Sequence, residues 1–407
     1  MTTITTATDL LTDEMLARFD ARAAGYDRDN RFFDEDWDEL RQSGYLLAAV
    51  PTEFGGSGLG LDEVARLQGR LAYYAPATAV AVNMHLYWTG VAADLLKTGD
   101  ASCRWMLERA ADGEVFAAIH GEAGNDIPLL LSSAKAEKVS GGYEFTGHKI
   151  FGSLSPVWTL AGVHGSDMSI PWTLAGVHGM DMSDPANPKV VHGFLPRNTS
   201  GYEIVETWDT LGMRATQSHD TVLDRAFVPD ENIVLVCPAG FAGAGMFQVS
   251  VFAWALMGFA TVYLGAARRA FDITIDKMPK RTSVAMTRSM AHHPEVQHNV
   301  SEMRISLDAC EALLDKVTTD WATGVPHADW PVRLVGARHF IINQAYDIVD
   351  RAMDLSGGSA VFKGNRLEQI FRDVRMGRFH PGNTMLAHEL VGKLCLGLNP
   401  DDPQRWG

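Results

Sequence analysis

Cysteine is scarce in this sequence, with four residues among 407 and no Cys-x-x-Cys pair. A disulfide framework or a zinc site needs closely spaced cysteines, so we expect reduced, mostly buried thiols of a cytoplasmic protein. Basic residues are also too few for a nucleic-acid surface. The 35 Lys and Arg residues are outnumbered by 50 Asp and Glu residues, which gives a net charge of −15. This balance argues against nucleic acid as a partner.

Targeting and membrane segments are missing as well. The first residues, Met1–Ala7, contain no basic stretch followed by an apolar core, so no secretory signal is predicted. The longest apolar stretch, Val249–Ala267, is interrupted by Ser, Thr and Gly and falls short of a membrane span. With 46% hydrophobic and 21% charged residues, the composition is that of an ordinary globular protein. We therefore expect no membrane partner.

Helical and strand-like patterns divide the chain into three predicted domains. Residues 1–117 show the spacing of amphipathic helices, with Thr12 as the N-cap of one helix and Gly44 ending another. Residues 118–236 carry short Val-, Phe- and Thr-rich runs between turn residues, which favours an antiparallel, barrel-like β domain. Residues 237–407 return to helical periodicity and predict a four-helix bundle. The predicted fold is α+β and mainly helical.

A local tandem duplication occupies residues 158–183 of the β domain. The run from Trp158 to Ser169 recurs from Trp172 to Ser183. A single repeat of this length does not make a solenoid. We expect one copy to form a strand and the other an inserted loop. An insert that reshapes the substrate entrance and an error in the recorded sequence are the alternatives.

Several short motifs occur in a fixed order along nearly the whole chain. They are Leu40–Gly44 with Pro51–Gly56, Gly113-Glu114 with Gly121-Glu122, Gly147–Ser153, Leu211–Ser218 with Phe227–Pro229, Ser356–Gly358, and Arg372-Asp373. As an ordered set they resemble the acyl-CoA dehydrogenase superfamily of flavoproteins. The resemblance implies an α-domain, a β-domain and a C-terminal α-bundle. It also implies a homotetramer, with FAD (or, as the alternative, FMN) held between domains and across a subunit interface.

The resemblance places a flavin-binding site in the β domain. It implies that Gly121 and Glu122 lie on the strand that meets the isoalloxazine ring. Phe151 and Ser153 take the positions of the family's usual Trp and Thr. Phe151 keeps an apolar face for the ring, and the Ser153 hydroxyl can still reach the flavin N5 atom. Asn125-Asp126 replaces a Ser-Asp pair, for which a plain turn and a ligand role are both open.

Further cofactor contacts are implied in the C-terminal bundle. Arg281 is expected to contact the cofactor pyrophosphate, because a guanidinium binds phosphate oxygens bidentately. Gln297, Gly357 and Gly358 match positions that approach the neighbouring subunit's cofactor. A surface polar side chain and a helix-ending glycine pair are the structural alternatives for these residues.

The catalytic base that the resemblance leads us to expect is missing. Acyl-CoA dehydrogenases use a carboxylate, usually Glu, to remove the α-proton of a thioester. Its usual position after the Arg372-Asp373 motif holds Pro381. The second position used by some members, early in the first bundle helix, holds Ala255. Neither standard base is therefore present.

The flavin monooxygenase branch of the superfamily has a different pattern that this chain matches. Its members carry a His after the Arg-Asp motif, and His380 occupies that place. Ser153 near the flavin and His85 in the N-terminal domain complete the implied catalytic set. A histidine suits a proton relay because its pKa lies near neutral pH. A buried core histidine is the structural alternative for His85.

Three functions follow from these observations. The first is a flavin-dependent oxidoreductase that acts on an acyl-CoA-like or other small organic substrate and passes electrons to an acceptor. The second is a flavin-dependent monooxygenase that uses reduced flavin from a separate reductase and O2, with His380 in its proton relay. The third is a non-catalytic flavin- or CoA-binding paralogue. No metal site is predicted, since His292, His293 and His298 lack both a common helix face and a carboxylate.

Overall fold

The computed structural model describes residues 7–125, 129–159 and 174–402. The helices are α1 (Ala7–Leu10), α2 (Asp13–Asp29), α3 (Asp34–Gln42), α4 (Leu61–Tyr74), α5 (Pro76–Lys97), α6 (Arg104–Ala111), α7 (Ser155–Thr159), α8 (Met246–Lys277), α9 (Pro294–Ala322), α10 (Trp330–Ser356), α11 (Arg366–Met376) and α12 (Thr384–Cys395). The strands are β1 (Phe116–Ala118), β2 (Lys135–Val139), β3 (Gly142–Gly152), β4 (Leu174–Asp181), β5 (Lys189–Pro196), β6 (Tyr202–Val205), β7 (His219–Pro229) and β8 (Ile233–Pro238). The prediction of a mainly helical α+β fold is confirmed.

The N-terminal helices follow the signals in their sequence. Thr12 caps α2, with its hydroxyl accepting a hydrogen bond from the Met15 amide at 3.2 Å. Gly44 lies two residues beyond α3 with a φ of 78°, a conformation that costs glycine little because it has no Cβ. Helix α5 is buried around nearly its whole circumference, as its apolar composition predicts.

The strands form one sheet with the order β6-β7-β3-β2-β4-β5-β8, and β1 pairs with β4 beside this path. Most pairs are antiparallel, but β1 and β2 both run parallel to β4. The barrel-like closure is wrong for the described residues, because the edge strands β6 and β8 do not pair with each other. The alternation of residues along a strand predicts which side chains share a face of the sheet. It does not predict whether the two edge strands pair and close the sheet.

The second copy of the duplication supplies strand β4 at the centre of this sheet. One copy is therefore a strand, as predicted. The rest of the first copy, residues 160–169, and the start of the second copy, residues 172–173, lie outside the described residues. Asp126 of the Asn125-Asp126 pair lies outside them too.

Helix α8 forms the centre of the C-terminal part. It packs against α9 and α10 on one side and against α4 and α5 of the N-terminal part on the other. By length and composition α8 could cross a membrane, but 83% of its most apolar window is buried inside the protein. That burial is typical of a core helix. The predicted bundle helices correspond to α8, α9, α10 and α12, whereas α11 adds a helix that packs on α8 and α10.

The Arg-Asp motif lies on α11 and joins three parts of the chain. The guanidinium of Arg372 donates to both carboxylate oxygens of Asp27 on α2, at 2.9 and 2.6 Å, and to Glu368 at 2.7 Å. The neighbouring Asp373 accepts a hydrogen bond from the Met213 amide at 2.6 Å. Burial and the nearby Asp27 raise the pKa of Asp373 to about 7. This motif therefore holds α11 against α2 and against the segment before β7.

The four cysteines are free, and three of them are buried, as predicted. Among the described residues, no group of three or more His, Cys, Asp or Glu side chains is arranged to hold a metal ion.

Candidate active site

A cavity of about 360 Å³ lies where the N-terminal helices, the sheet and the C-terminal helices meet. One wall comes from α5 and the ends of β1 and β3. The opposite wall comes from α8 and from the loop that follows α11. The lining includes Val80, Met84, Tyr87, His120–Asn125, Ile150, Phe151, Ser153, Trp208, Thr216, Ser218, Phe252, Ala255, Phe259 and Phe379–Asn383. Of the residues predicted for the site, Gly121, Glu122, Phe151, Ser153 and His380 are thus brought together.

Gly121 lies in the cavity wall because it pairs closely with β3. It forms an isolated antiparallel bridge with Ile150, and the Ile150 amide donates to the Gly121 carbonyl at 2.8 Å. A Cβ at position 121 would lie only 2.5 Å from the Ile150 carbonyl oxygen. Only glycine permits this approach, so the motif glycine is explained by the backbone packing at the cavity edge.

Phe151 presents an aromatic face to the cavity. It is 48% exposed and has a φ of 60°, within a stretch where the pairing of β3 with β7 shifts register. Its ring meets the edge of Trp208 at 5.8 Å in a T-shaped contact. An exposed aromatic at a positive φ is uncommon, and such backbone strain clusters at ligand sites. The two rings form an apolar corner in the cavity lining.

Glu122 belongs to the cavity lining, but its carboxylate is buried and paired with Lys149. The Lys149 ammonium donates to the Glu122 carboxylate, and both side chains are fully buried. The Ser133 amide donates to the same carboxylate at 2.8 Å, as does the Ser132 hydroxyl. Burial alone would raise the pKa of Glu122, but these donors lower it below its ordinary value. Burial lowers the pKa of Lys149 to about 8. The Glu122 charge therefore has a structural partner.

Ser153 belongs to a chain of hydroxyl groups. Its Oγ lies 2.7 Å from the Oγ of Ser218, which lies 2.7 Å from the Oγ1 of Thr216. Thr216 in turn donates to the Met213 carbonyl at 2.9 Å. All three hydroxyl residues line the cavity.

His380 lies on the opposite wall, in the loop after α11. Its Nε2 is hydrogen-bonded to the Tyr263 hydroxyl at 2.6 Å, and its ring stacks on Phe259 at 4.3 Å. The Arg338 guanidinium donates to the His380 carbonyl at 3.0 Å and holds the loop in place. Burial, with Arg338 adding a smaller effect, lowers the pKa of His380 to about 3. The imidazole is therefore neutral at pH 7, rather than titrating there as the sequence led us to expect.

The two positions expected to carry a carboxylate base both line this cavity. They hold Ala255 on α8 and Pro381 beside His380. Among the described lining residues, Glu122 is the one carboxylate, and Lys149 holds it. The cavity wall that the structure describes thus offers a neutral imidazole where a dehydrogenase would offer a carboxylate.

His85 lies away from the cavity. Its Nδ1 accepts a hydrogen bond from the Phe116 amide at 3.1 Å, and its Nε2 lies 3.1 Å from the Leu46 carbonyl. Since a carbonyl only accepts, Nε2 carries the proton. Burial lowers the pKa of His85 to about 4. Both nitrogens are used by backbone groups, so this position favours the structural alternative.

The predicted cofactor residues of the bundle also lie outside the cavity lining. The Arg281 guanidinium donates to the Leu355 carbonyl and packs against Gly357, which has a φ of 65°. Gln297 is exposed and donates to the Ala291 carbonyl at 3.0 Å. A Cβ at Gly358 would meet no atom within 4 Å. Within one chain, Arg281 contacts the end of α10, and Gln297 lies in the first turn of α9.

Sequence reasoning missed several residues that the fold brings to the cavity. Trp208 packs on Phe151, and Thr216 and Ser218 extend the Ser153 hydroxyl chain. Tyr263 lies behind the lining, where it is hydrogen-bonded to His380. Thr216 and Ser218 lie within a motif that the sequence does display, so their hydroxyls were a usable signal. Tyr263 and Trp208 have no local pattern that distinguishes them from core aromatics.

Family models match two parts of this chain. The acyl-CoA dehydrogenase N-terminal domain matches residues 5–114, and the acyl-CoA dehydrogenase C-terminal domain matches residues 257–384. Together these ranges cover more than half of the 407 residues. The chain therefore belongs to the acyl-CoA dehydrogenase family.

Individual relatives divide between two chemistries. A putative acyl-CoA dehydrogenase, YdbM, of Bacillus subtilis is 26% identical over 92% of this chain and 93% of its own length. The L-evernosamine nitrososynthase of a Micromonospora species is 28% identical over 98% of this chain and 91% of its own. A pigment production hydroxylase of a Rhodococcus species is 24% identical over 96% of both chains.

Solved structures show the same fold. A nitrososynthase from Micromonospora carbonacea var. africana superposes with a TM-score of 0.79 at 23% identity, covering 98% of both chains. KijD3 in complex with FMN and a dTDP-sugar gives a TM-score of 0.79 at 23% identity, over 98% of this chain and 95% of its own. The prediction of a flavin-dependent oxidoreductase is confirmed by this set of relatives.

Proposed function

We propose that this enzyme is a flavin-dependent monooxygenase, which takes up reduced flavin and uses O2 to oxygenate a small organic substrate. The observation that carries this proposal is the replacement of the expected carboxylate base at the cavity wall. Ala255 and Pro381 stand where a dehydrogenase keeps its base, and His380 faces the same cavity. α-Proton removal from a thioester needs a base beside the ring. The relatives named nitrososynthase and hydroxylase support the same direction.

The cavity residues fit a flavin. Gly121 allows close backbone approach, Phe151 and Trp208 offer an apolar corner, and Ser153 offers a hydroxyl for the ring edge. KijD3 was solved with FMN, and XiaF, another structure of this fold, with FADH2. We propose FAD or FMN as the cofactor. When bound, the flavin supplies the two electrons that O2 activation requires.

The residues of this chain then have three tasks. His380 is neutral and lines the cavity, with its ring stacked on Phe259 and its Nε2 held by the Tyr263 hydroxyl, so Nδ1 is the nitrogen that can form a hydrogen bond to a bound group and help to move a proton. Ser153 orients the ring edge. The apolar side chains of α8 exclude water from the cavity, which protects a reactive intermediate from side reactions.

The lining also indicates the substrate class. No Lys or Arg lies among the described lining residues, and the one carboxylate, Glu122, is paired with Lys149. A buried charge without a partner costs several kcal/mol. The portion of the substrate that enters the cavity is therefore expected to be uncharged and largely apolar, with one polar group for His380.

Rapid mixing with O2 tests the proposal. The protein is loaded anaerobically with reduced FMN or FAD, mixed with oxygenated buffer, and followed by the absorbance of oxidised flavin. The proposal expects the return of that absorbance to be delayed well beyond that of free reduced flavin. Reoxidation at the rate of free flavin would contradict it. If neither flavin binds, the non-catalytic alternative with a CoA ligand gains support.

We further propose a homotetramer, a cytoplasmic location and a separate reductase as the source of reduced flavin. Arg281, Gln297 and the Gly357-Gly358 pair lie outside their own chain's cavity, which suits contact with a neighbouring subunit's cofactor. Ile305 and Phe362 of the helical part are more than 60% exposed, as expected of an interface. Light scattering coupled to size exclusion tests the assembly, and a flavin-binding monomer would contradict it. Cell fractionation tests the location, which recovery in the membrane fraction would contradict.

A further inference from the structure

The hydroxyl chain beside the cavity has a direction. Ser153, Ser218 and Thr216 are all at most 8% exposed, and their oxygens are spaced for hydrogen bonds at 2.7 Å each. The chain ends at the Met213 carbonyl, 2.9 Å from the Thr216 hydroxyl. That carbonyl also accepts the Trp208 indole N–H at 3.2 Å, so it is surrounded by donors.

Each hydroxyl has one proton to donate, whereas a carbonyl can only accept. Thr216 therefore donates its hydroxyl proton to the Met213 carbonyl, Ser218 donates to Thr216, and Ser153 donates to Ser218. In this arrangement every proton in the chain is used, and the Ser153 oxygen offers only lone pairs to the cavity. The reverse direction leaves the bond from Thr216 to Met213 unmade. It has one buried hydrogen bond fewer and is disfavoured.

We propose that Thr216 and Ser218 are positioning residues that make Ser153 a hydrogen-bond acceptor and thereby select reduced over oxidised flavin. Reduced flavin carries a hydrogen on N5 and donates there, whereas oxidised flavin has only a lone pair on N5. If Ser153 is an acceptor, it can accept the hydrogen bond from N5 of reduced flavin. It cannot donate one to N5 of oxidised flavin. The proposal rests on the proposed function, because it takes Ser153 to face N5.

The expected effect corresponds to about one hydrogen bond, which is on the order of a tenfold change in the ratio of dissociation constants. Thr216→Val removes the acceptor of Ser218, so Ser218 can turn and donate to Ser153. Ser153 then donates into the cavity. The preference should shift toward oxidised flavin by about tenfold. Thr216→Ser keeps the hydroxyl and serves as the matched control.

The test measures the dissociation constants of oxidised and of reduced FMN, anaerobically, for the full-length wild type and both variants, together with the midpoint potential of bound FMN. The proposal expects tighter binding of reduced FMN by the wild type and by Thr216→Ser, and a lower midpoint potential in Thr216→Val. Equal ratios in Thr216→Val and the wild type would overturn it.

A second variant covers misfolding of the first. Ser218→Ala also cuts the chain, because Ser153 loses its acceptor and is free to donate into the cavity. It should shift the same ratio in the same direction, and an unshifted ratio would overturn the proposal. Failure of the proposed function gives a different result. In that case the wild type does not bind FMN, or it binds FMN without delaying the reoxidation of reduced FMN.

Discussion

Replacing Lys149 by Met tests how the buried pair supports the cavity wall. Lys149 donates to Glu122 and, at 2.7 Å, to the carbonyl of His178 on strand β4. Met has a similar length and is apolar, so the substitution removes the charge and the donors with little loss of packing. Glu122 then keeps its amide donors, among them Ser133, but loses its counter-charge.

The magnitude follows from that loss. Breaking a buried ion pair by removing one partner costs about 3–5 kcal/mol. Because other donors remain on Glu122, we expect the free energy of unfolding to fall by about 3 kcal/mol at pH 7.5. Without Lys149 the folded-state pKa of Glu122 rises above its unfolded value. The lost stability should therefore be partly recovered as the pH falls and the carboxyl is protonated.

Urea unfolding at pH 7.5 and pH 5 measures this effect. The double variant Glu122→Gln with Lys149→Met removes both charges and should be more stable than Lys149→Met alone. A fall in the free energy of unfolding of less than about 1 kcal/mol in Lys149→Met would contradict this prediction. A double variant that is less stable than Lys149→Met would contradict it as well.

Three further predictions follow from single contacts. His380→Ala should shorten the delay of flavin reoxidation on the order of a hundredfold. It should also lower the free energy of unfolding by about 1–3 kcal/mol without unfolding the protein, because the buried Tyr263 hydroxyl loses its partner. The exposed His298→Ala should change neither quantity, and an unchanged delay in His380→Ala would remove His380 from the site. The folded-state pKa of His85, about 4, lies below its unfolded value, so its contribution to stability is complete above pH 6.5 and is lost as the pH falls. Between pH 7.5 and 5 the wild type should therefore lose about 2 kcal/mol more free energy of unfolding than His85→Asn, measured by urea unfolding at both pH values; equal losses in both proteins would contradict it. Arg372→Lys cannot reproduce the bidentate bond to Asp27 and should lower the unfolding free energy by about 2–4 kcal/mol, measured by urea unfolding; a change below about 0.5 kcal/mol would contradict this.

The helices were largely predictable because their signals are local. Thr12, Gly44 and the apolar composition of α5 and α8 act within a few turns of the chain. The closure of the sheet was not predictable, since it depends on which edge strands meet. Helix α11 was missed because its sequence is dominated by charged residues, among them Arg366 and Arg372, whose buried partners lie elsewhere in the fold.

The cavity shows the same division. Gly121 and Ser153 were found because they belong to motifs, and the structure places both in its wall. His85 shows where a residue type alone misleads, since backbone groups on Leu46 and Phe116 use both of its nitrogens. The depressed pKa of His380 could not be inferred either, because it arises from burial and from Arg338, which is 42 residues away in the sequence.

Anaerobic titration with an acyl-CoA distinguishes a monooxygenase from an acyl-CoA dehydrogenase. The oxidised, flavin-loaded enzyme is mixed with short- and medium-chain acyl-CoA thioesters, and the absorbance of oxidised flavin is followed. With Ala255 and Pro381 at the positions of the base, and Glu122 held by Lys149, the described wall offers no free carboxylate to remove an α-proton. We expect the flavin to stay oxidised in every titration, and we expect the reduced flavin on the enzyme to be reoxidised by O2 only after a delay. Rapid bleaching by any of these thioesters would contradict it.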